Sequence, residues 1–254
     1  FLNKKRLVLF MPDKQFNKIA KDFSVDISFG KQYGVIPTIL SMVPNVKGSI
    51  LDAGCGRGEI TREIAKNSSE SIIGVDISKE MIKIAKEAEK TDPLGISYYC
   101  KDILKFKPTT KVDYIISVFL LNYAENERDL RKMFTVFSES LTNDGKCFII
   151  TINPNLKPSK TLLGNRRHIN VLGKKVFENG DKIKTEIKKD KKAISFIHYY
   201  YSKDVYEDAA EKAGFKKIKW VQPIVSSEAI KKFGKKFCEE YLETTSTIGF
   251  VCSK

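Results

Sequence analysis

Apolar and polar positions follow two different periods along this chain, and from residue 48 onward the two periods alternate. Short apolar runs typical of buried strands occur at 49–52, 72–76, 98–100, 112–118 and 147–152. Between them, apolar residues recur every three or four positions, which indicates amphipathic helices over 60–66, 79–90 and 129–141. Ser78 is placed to cap the second of these helices, and Asn143-Asp144-Gly145 predict a turn after the third. Strands that alternate with helices predict a mostly parallel sheet with right-handed crossovers and helices on both faces.

The chain on either side of this alternating core has other patterns. Apolar positions at helical spacing predict an N-terminal helical region over 14–45, and the turn-forming sequence at 178–181 predicts an antiparallel hairpin. A helix at 203–213 ending at Gly214, then strands at 215–221 and 247–252, are predicted near the C-terminus. We therefore expect four parts: a helical segment (1–45), an α/β core (46–152), an antiparallel insertion (153–201) and a completion of the core sheet (202–254).

Composition narrows the class of protein. The 254 residues are 42% hydrophobic, enough for a substantial core, and no apolar run approaches the roughly 18 residues that span a membrane. The five cysteines form no Cys-x-x-Cys pair, and the chain has only two histidines. These counts argue against a disulfide framework and against a zinc site. We expect a cytoplasmic protein with no resident metal and no membrane partner.

The net charge of +14 is unevenly distributed. Residues 46–152 are neutral overall, whereas residues 153–193 carry twelve Lys/Arg and four Asp/Glu. A basic segment of this kind attracts nucleic acid or an acidic partner, or it simply forms a solvated face. We favour the solvated face, and nucleic acid is a possible but not a favoured partner.

A glycine-rich loop with chemical meaning follows the first predicted strand. Residues 52–58 read Asp-Ala-Gly-Cys-Gly-Arg-Gly and open a helix, so a ligand can approach the backbone closely there. The dinucleotide fingerprint needs a third glycine at position 59, which is Glu59, and no Gly-Lys-Ser/Thr follows for a phosphate-binding loop. Asp52 would repel a pyrophosphate but suits a cationic ligand.

Two further carboxylates end neighbouring predicted strands. Asp76 ends the second strand, where an acidic side chain can accept hydrogen bonds from both hydroxyls of a ribose. Asp102 follows the third strand and is placed to meet an adenine amino group. Together with Asp52, these residues indicate a nucleoside that carries a positive, amine-bearing tail rather than phosphates.

In sequence order, the motifs at 50–58, 74–78 with Met81, 102–103 and 113–117 resemble those of class I S-adenosylmethionine-dependent methyltransferases. The resemblance covers about 14–152, and residues 16–23, 198–202 and 213–215 are similar to the flanks of small-molecule enzymes, most closely those of toxoflavin biosynthesis. It implies a doubly wound, mostly parallel, seven-stranded sheet of the Rossmann-like methyltransferase fold. The N-terminal helix would then be a lid, and the insertion after the fifth strand would cover the substrate.

The resemblance also implies which residues bind S-adenosylmethionine. Asp76 would hold the ribose, Asp102 and Ile103 would flank the adenine, and the loop at 54–58 would meet the methionine part. The full set of implied cofactor residues is Asp52, Gly54, Cys55, Gly56, Asp76, Ile77, Met81, Asp102, Ile103, Val118 and Phe23. The two phenylalanines Phe16 and Phe23 stand where relatives usually carry tyrosines, so a polar role for the lid is not expected.

Catalytic residues are less evident. Asn122 and Tyr123 follow the fourth strand, where the methyl acceptor should approach, although many relatives carry histidine at position 122. His198 and Tyr200 share one face of an alternating strand while Tyr199 and Tyr201 share the other, so one face should line a pocket and the other should pack. His198, Asn122 and Tyr123 are candidates, and Arg166, Arg167 and His168 form either an anion site or a solvated turn.

Three functions stay open on the sequence alone. The first is methyl transfer to an oxygen or nitrogen of a small molecule, in which alignment of the acceptor does most of the work. The second is methylation of RNA or protein through the basic insertion, although the insertion lacks the aromatic interleaving of a stacking surface. The third is a non-catalytic partner subunit that binds the cofactor. The acceptor and the oligomeric state are not determined.

Overall fold

The computed structural model describes residues 12–20, 29–43, 47–67, 71–155, 167–170, 176–189 and 192–254. Its centre is a seven-stranded sheet in the order β3-β2-β1-β4-β5-β10-β9. The strands are β1 (Ile50–Ala53), β2 (Ile72–Asp76), β3 (Ile96–Cys100), β4 (Val112–Val118), β5 (Leu141–Ile152), β9 (Lys217–Val221) and β10 (Thr247–Ser253). The first five are parallel, and β10 runs antiparallel to both β5 and β9. The predicted fold class is confirmed.

Helices cover both faces of this sheet. They are α1 (Pro12–Ile19), α2 (Ile36–Met42), α3 (Glu59–Ala65), α4 (Lys79–Thr91), α5 (Glu127–Ser140), α6 (Lys203–Lys212), α7 (Ser227–Phe233) and α8 (Lys235–Thr244). Ser78 caps α4 as predicted, because its hydroxyl accepts a hydrogen bond from the Met81 amide at 3.2 Å. The helices α7 and α8 had no clear signal in the sequence analysis.

The N-terminal region is helical in separate pieces rather than continuously. The helix α1 ends at Ile19, and a π-helical turn (Gly30–Val35) leads directly into α2. The side chain of Asn17 fastens α1 to the start of α4: its Oδ1 accepts from the Ser78 hydroxyl at 2.8 Å and from the Glu80 amide at 3.2 Å. Phe23 and its predicted cofactor contact lie outside the described residues.

The insertion forms a second, antiparallel sheet as predicted, with strands β6 (Arg167–Asn170), β7 (Lys182–Lys189) and β8 (Lys192–Tyr199) in that order. The position predicted for its tight hairpin was wrong. The chain does turn at 178–181, where the Asp181 amide donates to the Glu178 carbonyl, but this turn lies in the long connection from β6 to β7. The tight hairpin joins β7 to β8, because Lys189 pairs with Lys192.

A second correction concerns residues 143–145, which were expected to form a turn before the fifth strand. The strand β5 begins at Leu141 and runs through them to Ile152. Its pairing with β4 is irregular there: Leu141 pairs with Val112 and Lys146 with Tyr114, so four residues of β5 lie opposite Asp113. The turn-forming residues therefore make a bulge within a strand, which inserts extra residues without ending the ladder.

The main core lies between the sheet and the helices α5 and α6. Phe134 and Phe137 of α5 are fully buried with Phe250 of β10, and Phe134 contacts Phe215 and Phe250 with ring centroids 6.3 and 6.4 Å apart. A second core, including Ile39 of α2, covers the other face. None of the helices described here is long and apolar enough to cross a membrane. The rigid sheet holds the carboxyl ends of its parallel strands side by side.

Candidate active site

A cavity of about 410 Å³ opens at the carboxyl ends of the parallel strands, a size typical of small-molecule sites. Ten of the eleven predicted cofactor residues line it: Asp52, Gly54, Cys55, Gly56, Asp76, Ile77, Met81, Asp102, Ile103 and Val118. The three catalytic candidates His198, Asn122 and Tyr123 line the same cavity. Their contacts with bound molecules stay a prediction, but the fold does bring them together.

The glycine loop forms the floor of the cavity. The amides of Gly54 and Cys55 both donate to the Val75 carbonyl, at 2.8 and 3.0 Å, so the loop turns back onto β2. Gly54 and Gly58 have φ angles of +78° and +77°, which disfavour any side chain. A Cβ on Gly54 would also lie 3.1 Å from the Leu120 side chain, so a larger residue at position 54 would displace that side chain.

Asp76 links the loop to the end of β2. Its Oδ2 accepts from the Gly56 amide at 2.9 Å and its Oδ1 accepts from the Ser78 amide at 2.8 Å. Burial raises the pKa of Asp76, and these backbone hydrogen bonds oppose that rise. Each carboxylate oxygen has two lone-pair sites, so both oxygens can also accept from a ligand.

Asp52 lies beneath the loop and is 2% exposed. Its Oδ2 accepts from the Thr61 hydroxyl at 2.5 Å. Burial raises the pKa of Asp52 to about 7, and the neighbouring carboxylate of Asp76 adds to the rise, while the Thr61 hydrogen bond opposes it. A buried carboxyl group in this state gains stability from a nearby cation, as expected for a positively charged ligand.

This raised pKa predicts how the stability of the unliganded protein depends on pH. Above pH 5 an unfolded Asp52 is ionised while the folded residue keeps its proton up to about pH 7, so folding takes up a proton and stability falls as pH rises. The contribution from Asp52 is expected to fall by roughly 2 kcal/mol between pH 5 and pH 6.5. Denaturant unfolding at several pH values measures it.

The matched variants for this measurement are Asp52→Asn, which removes the titrating group, and Asp144→Asn, which changes an exposed carboxylate. The difference in the free energy of unfolding between wild type and Asp52→Asn should become smaller as the pH falls towards 5. Asp144→Asn should follow the wild-type profile. A constant difference between wild type and Asp52→Asn over this pH range would show that Asp52 is ionised throughout.

Asp102 and Ile103 line the cavity just beyond the end of β3. Asp102 accepts from the Leu104 amide through Oδ1 at 3.0 Å and thereby caps the short helical turn Ile103–Lys105. Ile103 and Met81 are buried and line the cavity wall. The carboxylate of Asp102 thus has a structural role in the turn as well as a place on the cavity surface.

Arg57 also lines the cavity, although the motif that contains it predicted no role for this residue. Its side chain is 17% exposed, and Nη1 lies 3.6 Å from Glu59 Oε1. Within the described residues, its Nε and Nη1 are buried and have no hydrogen-bond partner. Burial lowers the pKa of Arg57. A guanidinium with buried donors aimed at a cavity suits a carboxylate ligand.

The far end of the cavity is built by three elements: α1, the segment after β4, and β8. Phe119 takes a left-handed φ of +55° directly after β4, so the chain turns into the short helix Leu121–Tyr123. Phe16 of α1 meets the edge of the Tyr123 ring with centroids 5.0 Å apart. Asn122 is 1% exposed, and its Oδ1 has no hydrogen-bond partner among the described residues.

Three of the four residues at 198–201 lie where the alternation predicts, and Tyr200 does not. His198 lines the cavity, whereas Tyr199 and Tyr201 pack into the main core, where the Tyr201 hydroxyl donates to the Ala124 carbonyl at 2.8 Å. Tyr200 departs from its neighbour on the same face, because it stacks on Phe177. Of the predicted anion site, Arg166 lies outside the described residues, and Arg167 and His168 are described only as backbone in β6.

The strand order, the antiparallel final strand and the acid-flanked glycine loop together define the class I methyltransferase fold. The CcbJ methyltransferase of Streptomyces caelestis shares this fold with a TM-score of 0.67 at 12% identity, covering 96% of this chain and 99% of that one. The structure of a DhpI complex with S-adenosylhomocysteine gives a TM-score of 0.60 at 11% identity, with 94% and 93% covered. These identities are low and establish the fold alone.

The sequence comparison goes further for the core of the chain. Residues 50–145 match the family model described as "Methyltransferase domain". A ubiquinone biosynthesis O-methyltransferase of Coxiella burnetii is 33% identical over 127 residues, which are 49% of this chain and 53% of that protein. The chain thus spans about half the length of the curated relatives it matches. Residues 50–145 are thus similar in sequence to a methyltransferase domain, and they lie in a sheet with the class I methyltransferase fold.

The cavity residues fit the cofactor of such a domain, S-adenosylmethionine. The cofactor has a ribose, an amino-acid part with one ammonium and one carboxylate, and a cationic sulfur. Asp76 offers acceptors for the ribose, Asp52 offers a buried carboxyl group for the positive charges, and Arg57 offers buried donors for the carboxylate. The charges of the site therefore match those of the cofactor group by group.

Proposed function

We propose that the protein transfers a methyl group from S-adenosylmethionine to an oxygen or nitrogen of a small molecule. The single observation that carries this proposal is the cavity itself, because one cavity is lined both by the residues predicted to bind the cofactor and by Asn122, Tyr123 and His198. When bound, the cofactor supplies an activated methyl group on sulfur. The chain's own residues would then bind and align the acceptor and exclude water.

The roof over the cavity supports a small acceptor. This roof consists of lining residues from outside the central sheet: Phe16 of α1 and Thr185, Phe196 and His198 of the insertion sheet. These side chains narrow the cavity, which supports a small acceptor over a polymer. The related Coxiella burnetii protein is named as an O-methyltransferase of ubiquinone biosynthesis, not of toxoflavin biosynthesis. This name supports a small acceptor, and the toxoflavin subgroup has no further support.

The test has two stages with different readouts. Calorimetry with S-adenosylhomocysteine measures the cofactor site, and micromolar binding is expected. Radiolabelled S-adenosylmethionine is then offered with a panel of small hydroxyl and amine compounds, with total RNA and with unmethylated protein extract. Label transfer to a small molecule is the expected result. Label only in RNA, with binding that weakens steeply as salt rises, would instead favour the basic insertion as an RNA surface. Cofactor binding with no transfer to any acceptor would favour a non-catalytic partner subunit.

Arg57 gives a separate prediction about the cofactor site. Arg57→Gln is expected to weaken S-adenosylhomocysteine binding about tenfold, because a charge-assisted hydrogen bond to the ligand carboxylate is lost. Binding of 5′-methylthioadenosine, which has the same nucleoside but no amino-acid part, should stay unchanged. Calorimetry with both ligands makes the comparison. An equal loss for both ligands would show that Arg57 shapes the loop rather than binding the carboxylate.

A further inference from the structure

The insertion sheet places a buried imidazole in the roof of the cavity. His198 on β8 is 1% exposed and Thr185 on β7 is 4% exposed, and both line the cavity. The register pairs Thr185 with Phe196 and Ile183 with His198, so the two side chains lie diagonally across neighbouring strands. The core of the methyltransferase domain does not contain them.

A short hydrogen bond joins the two residues. Thr185 Oγ1 lies 2.8 Å from His198 Nε2, and either atom can donate. When Nε2–H donates to the Thr185 oxygen, the imidazole carries its lone pair on Nδ1 and can take up a proton there. A fixed partner on one ring nitrogen sets the orientation of the ring, and a hydroxyl partner allows this tautomer because it can accept as well as donate. This is the arrangement that an imidazole needs for proton transfer.

The strand that carries His198 is held on two sides. On one side, the Gln15 side chain accepts from the Ile197 amide at 2.9 Å and donates to the Ile197 carbonyl at 3.3 Å, so β8 is fastened to α1. On the other, the Tyr201 hydroxyl binds the Ala124 carbonyl, and β8 packs against the helical turn that carries Asn122. His198 and Asn122 therefore belong to two elements in direct contact.

Asn122 is a second, independent indication of a ligand at this end. Its side chain lines the cavity and is almost fully buried, yet its Oδ1 has no hydrogen-bond partner within the described residues. Leaving a buried amide oxygen unbound costs about 1–3 kcal/mol. A ligand with a hydrogen-bond donor would remove this cost, and an acceptor hydroxyl or amine is such a donor.

The surroundings favour an uncharged acceptor with a flat, apolar body. Phe16, Leu120, Ile152 and Phe196 line this part of the cavity. Of the carboxylates in the lining, Glu125 and Asp129 follow the helical turn that carries Asn122: Glu125 is exposed, and the Asp129 carboxylate is within 3.6 Å of both Arg128 and Lys132. The buried polar groups here are an imidazole, a hydroxyl and an amide, none of which is an anion that would bind an ammonium group.

We propose that the acceptor is an aromatic hydroxyl compound and that His198, oriented by Thr185 and assisted by Asn122, takes the hydroxyl proton. This inference rests on the methyl transfer proposed above. As the acceptor oxygen forms its bond to the methyl carbon, the carbon–sulfur bond breaks and its electron pair goes to sulfur. The hydroxyl proton passes to the imidazole and then to water. A hydroxyl needs such a proton acceptor, because it is a weak nucleophile until it loses its proton.

The experiment is run at mildly alkaline pH with three probes of similar shape: 4-methylphenol, 4-nitrophenol, which is largely ionised under these conditions, and 4-methylaniline. His198→Ala is expected to lower kcat for 4-methylphenol about 100-fold or more. The loss for 4-nitrophenol should be below about fivefold, because an ionised oxygen has no proton to give up. Added imidazole should restore part of the activity on 4-methylphenol.

Thr185 is a positioning residue. Thr185→Val should therefore lower kcat for 4-methylphenol about tenfold, a smaller loss than in His198→Ala, and should again affect 4-nitrophenol much less. Thr135→Val is the matched control, since Thr135 is exposed on α5 and lies outside the cavity lining. It should leave both rates unchanged. S-adenosylhomocysteine affinity should stay within about twofold in all three variants, which separates this test from loss of the cofactor site.

Two results would overturn the inference while leaving methyl transfer intact. Equal losses on both phenols in His198→Ala would mean that His198 only packs in the roof. Methylation of 4-methylaniline with none of either phenol would mean that the acceptor atom is nitrogen. Failure of the proposed function looks different, because wild type would then bind no S-adenosylhomocysteine or would methylate none of the three probes.

Discussion

Asp76→Ala is expected to lower the affinity for S-adenosylhomocysteine at least about 100-fold, as measured by calorimetry. Two hydrogen bonds from the ribose hydroxyls to a carboxylate are each worth about 1.5–3 kcal/mol, and 1.4 kcal/mol corresponds to a tenfold change in affinity. The substitution also removes the acceptors for the Gly56 and Ser78 amides, so the glycine loop loses its link to the end of β2. Both effects act in the same direction.

Two further variants separate these contributions. Asp76→Asn keeps one oxygen acceptor and should lose less affinity than the alanine variant. Asp144→Ala removes an exposed carboxylate and should bind as wild type does. Thermal unfolding of each variant shows whether the fold is retained. Undiminished binding by a folded Asp76→Ala would mean that the ribose lies elsewhere, and the nucleoside assignment of this strand end would be wrong.

Phe134→Ala is expected to lower the free energy of unfolding by about 3–5 kcal/mol, the usual cost of truncating a fully buried phenylalanine. Phe134 has no exposed surface and packs against Phe137, Phe215 and Phe250. The cavity left behind is lined by rings from a helix, a loop and the sheet, and these cannot all move inward. For a chain of this size, the melting temperature should fall by about 10 °C.

Phe233→Ala is the matched control, because Phe233 is 39% exposed at the end of α7. Phe233→Ala should lower the free energy of unfolding by less than half as much as Phe134→Ala does. Denaturant and thermal unfolding of both variants, read by circular dichroism, make the comparison. A similar cost at the two positions would mean that the aromatic contacts of Phe233 with Phe29 and Phe237 matter as much as the main core.

The part of the cavity that we assign to the cofactor was largely predictable from sequence. A glycine loop has to follow a strand end to bring backbone close to a ligand, and the carboxylates Asp52, Asp76 and Asp102 end or follow successive strands. In a parallel sheet these strand ends fall on one edge, so spacing along the chain translates directly into closeness in space. Arg57 was the missed residue here, and its place among the glycines of the loop was the available signal.

The acceptor side was much less predictable. Thr185 had no signal in the sequence, because its contact with His198 depends on the register of β7 with β8. The signal at 178–181 suggested a hairpin in the wrong place, since the residues that suit a tight hairpin also suit a turn within a long connection. Residues 143–145 were predicted to form a turn but lie in a bulge of β5, because turn-forming residues are also tolerated in a bulge.

The sequence by itself determined the class I fold, the cofactor edge and the candidate groups Asn122 and His198, since local periodicity and motif spacing carry this information. Only the tertiary structure decided that Asn122 and His198 line one cavity, that Thr185 binds the imidazole and that Arg57 has buried donors there. The physical reason is that chain order alone places the carboxyl ends of successive parallel strands on one edge of the sheet. The roof depends on α1, β7 and β8 packing together from distant parts of the chain, as the Gln15 bonds to Ile197 show.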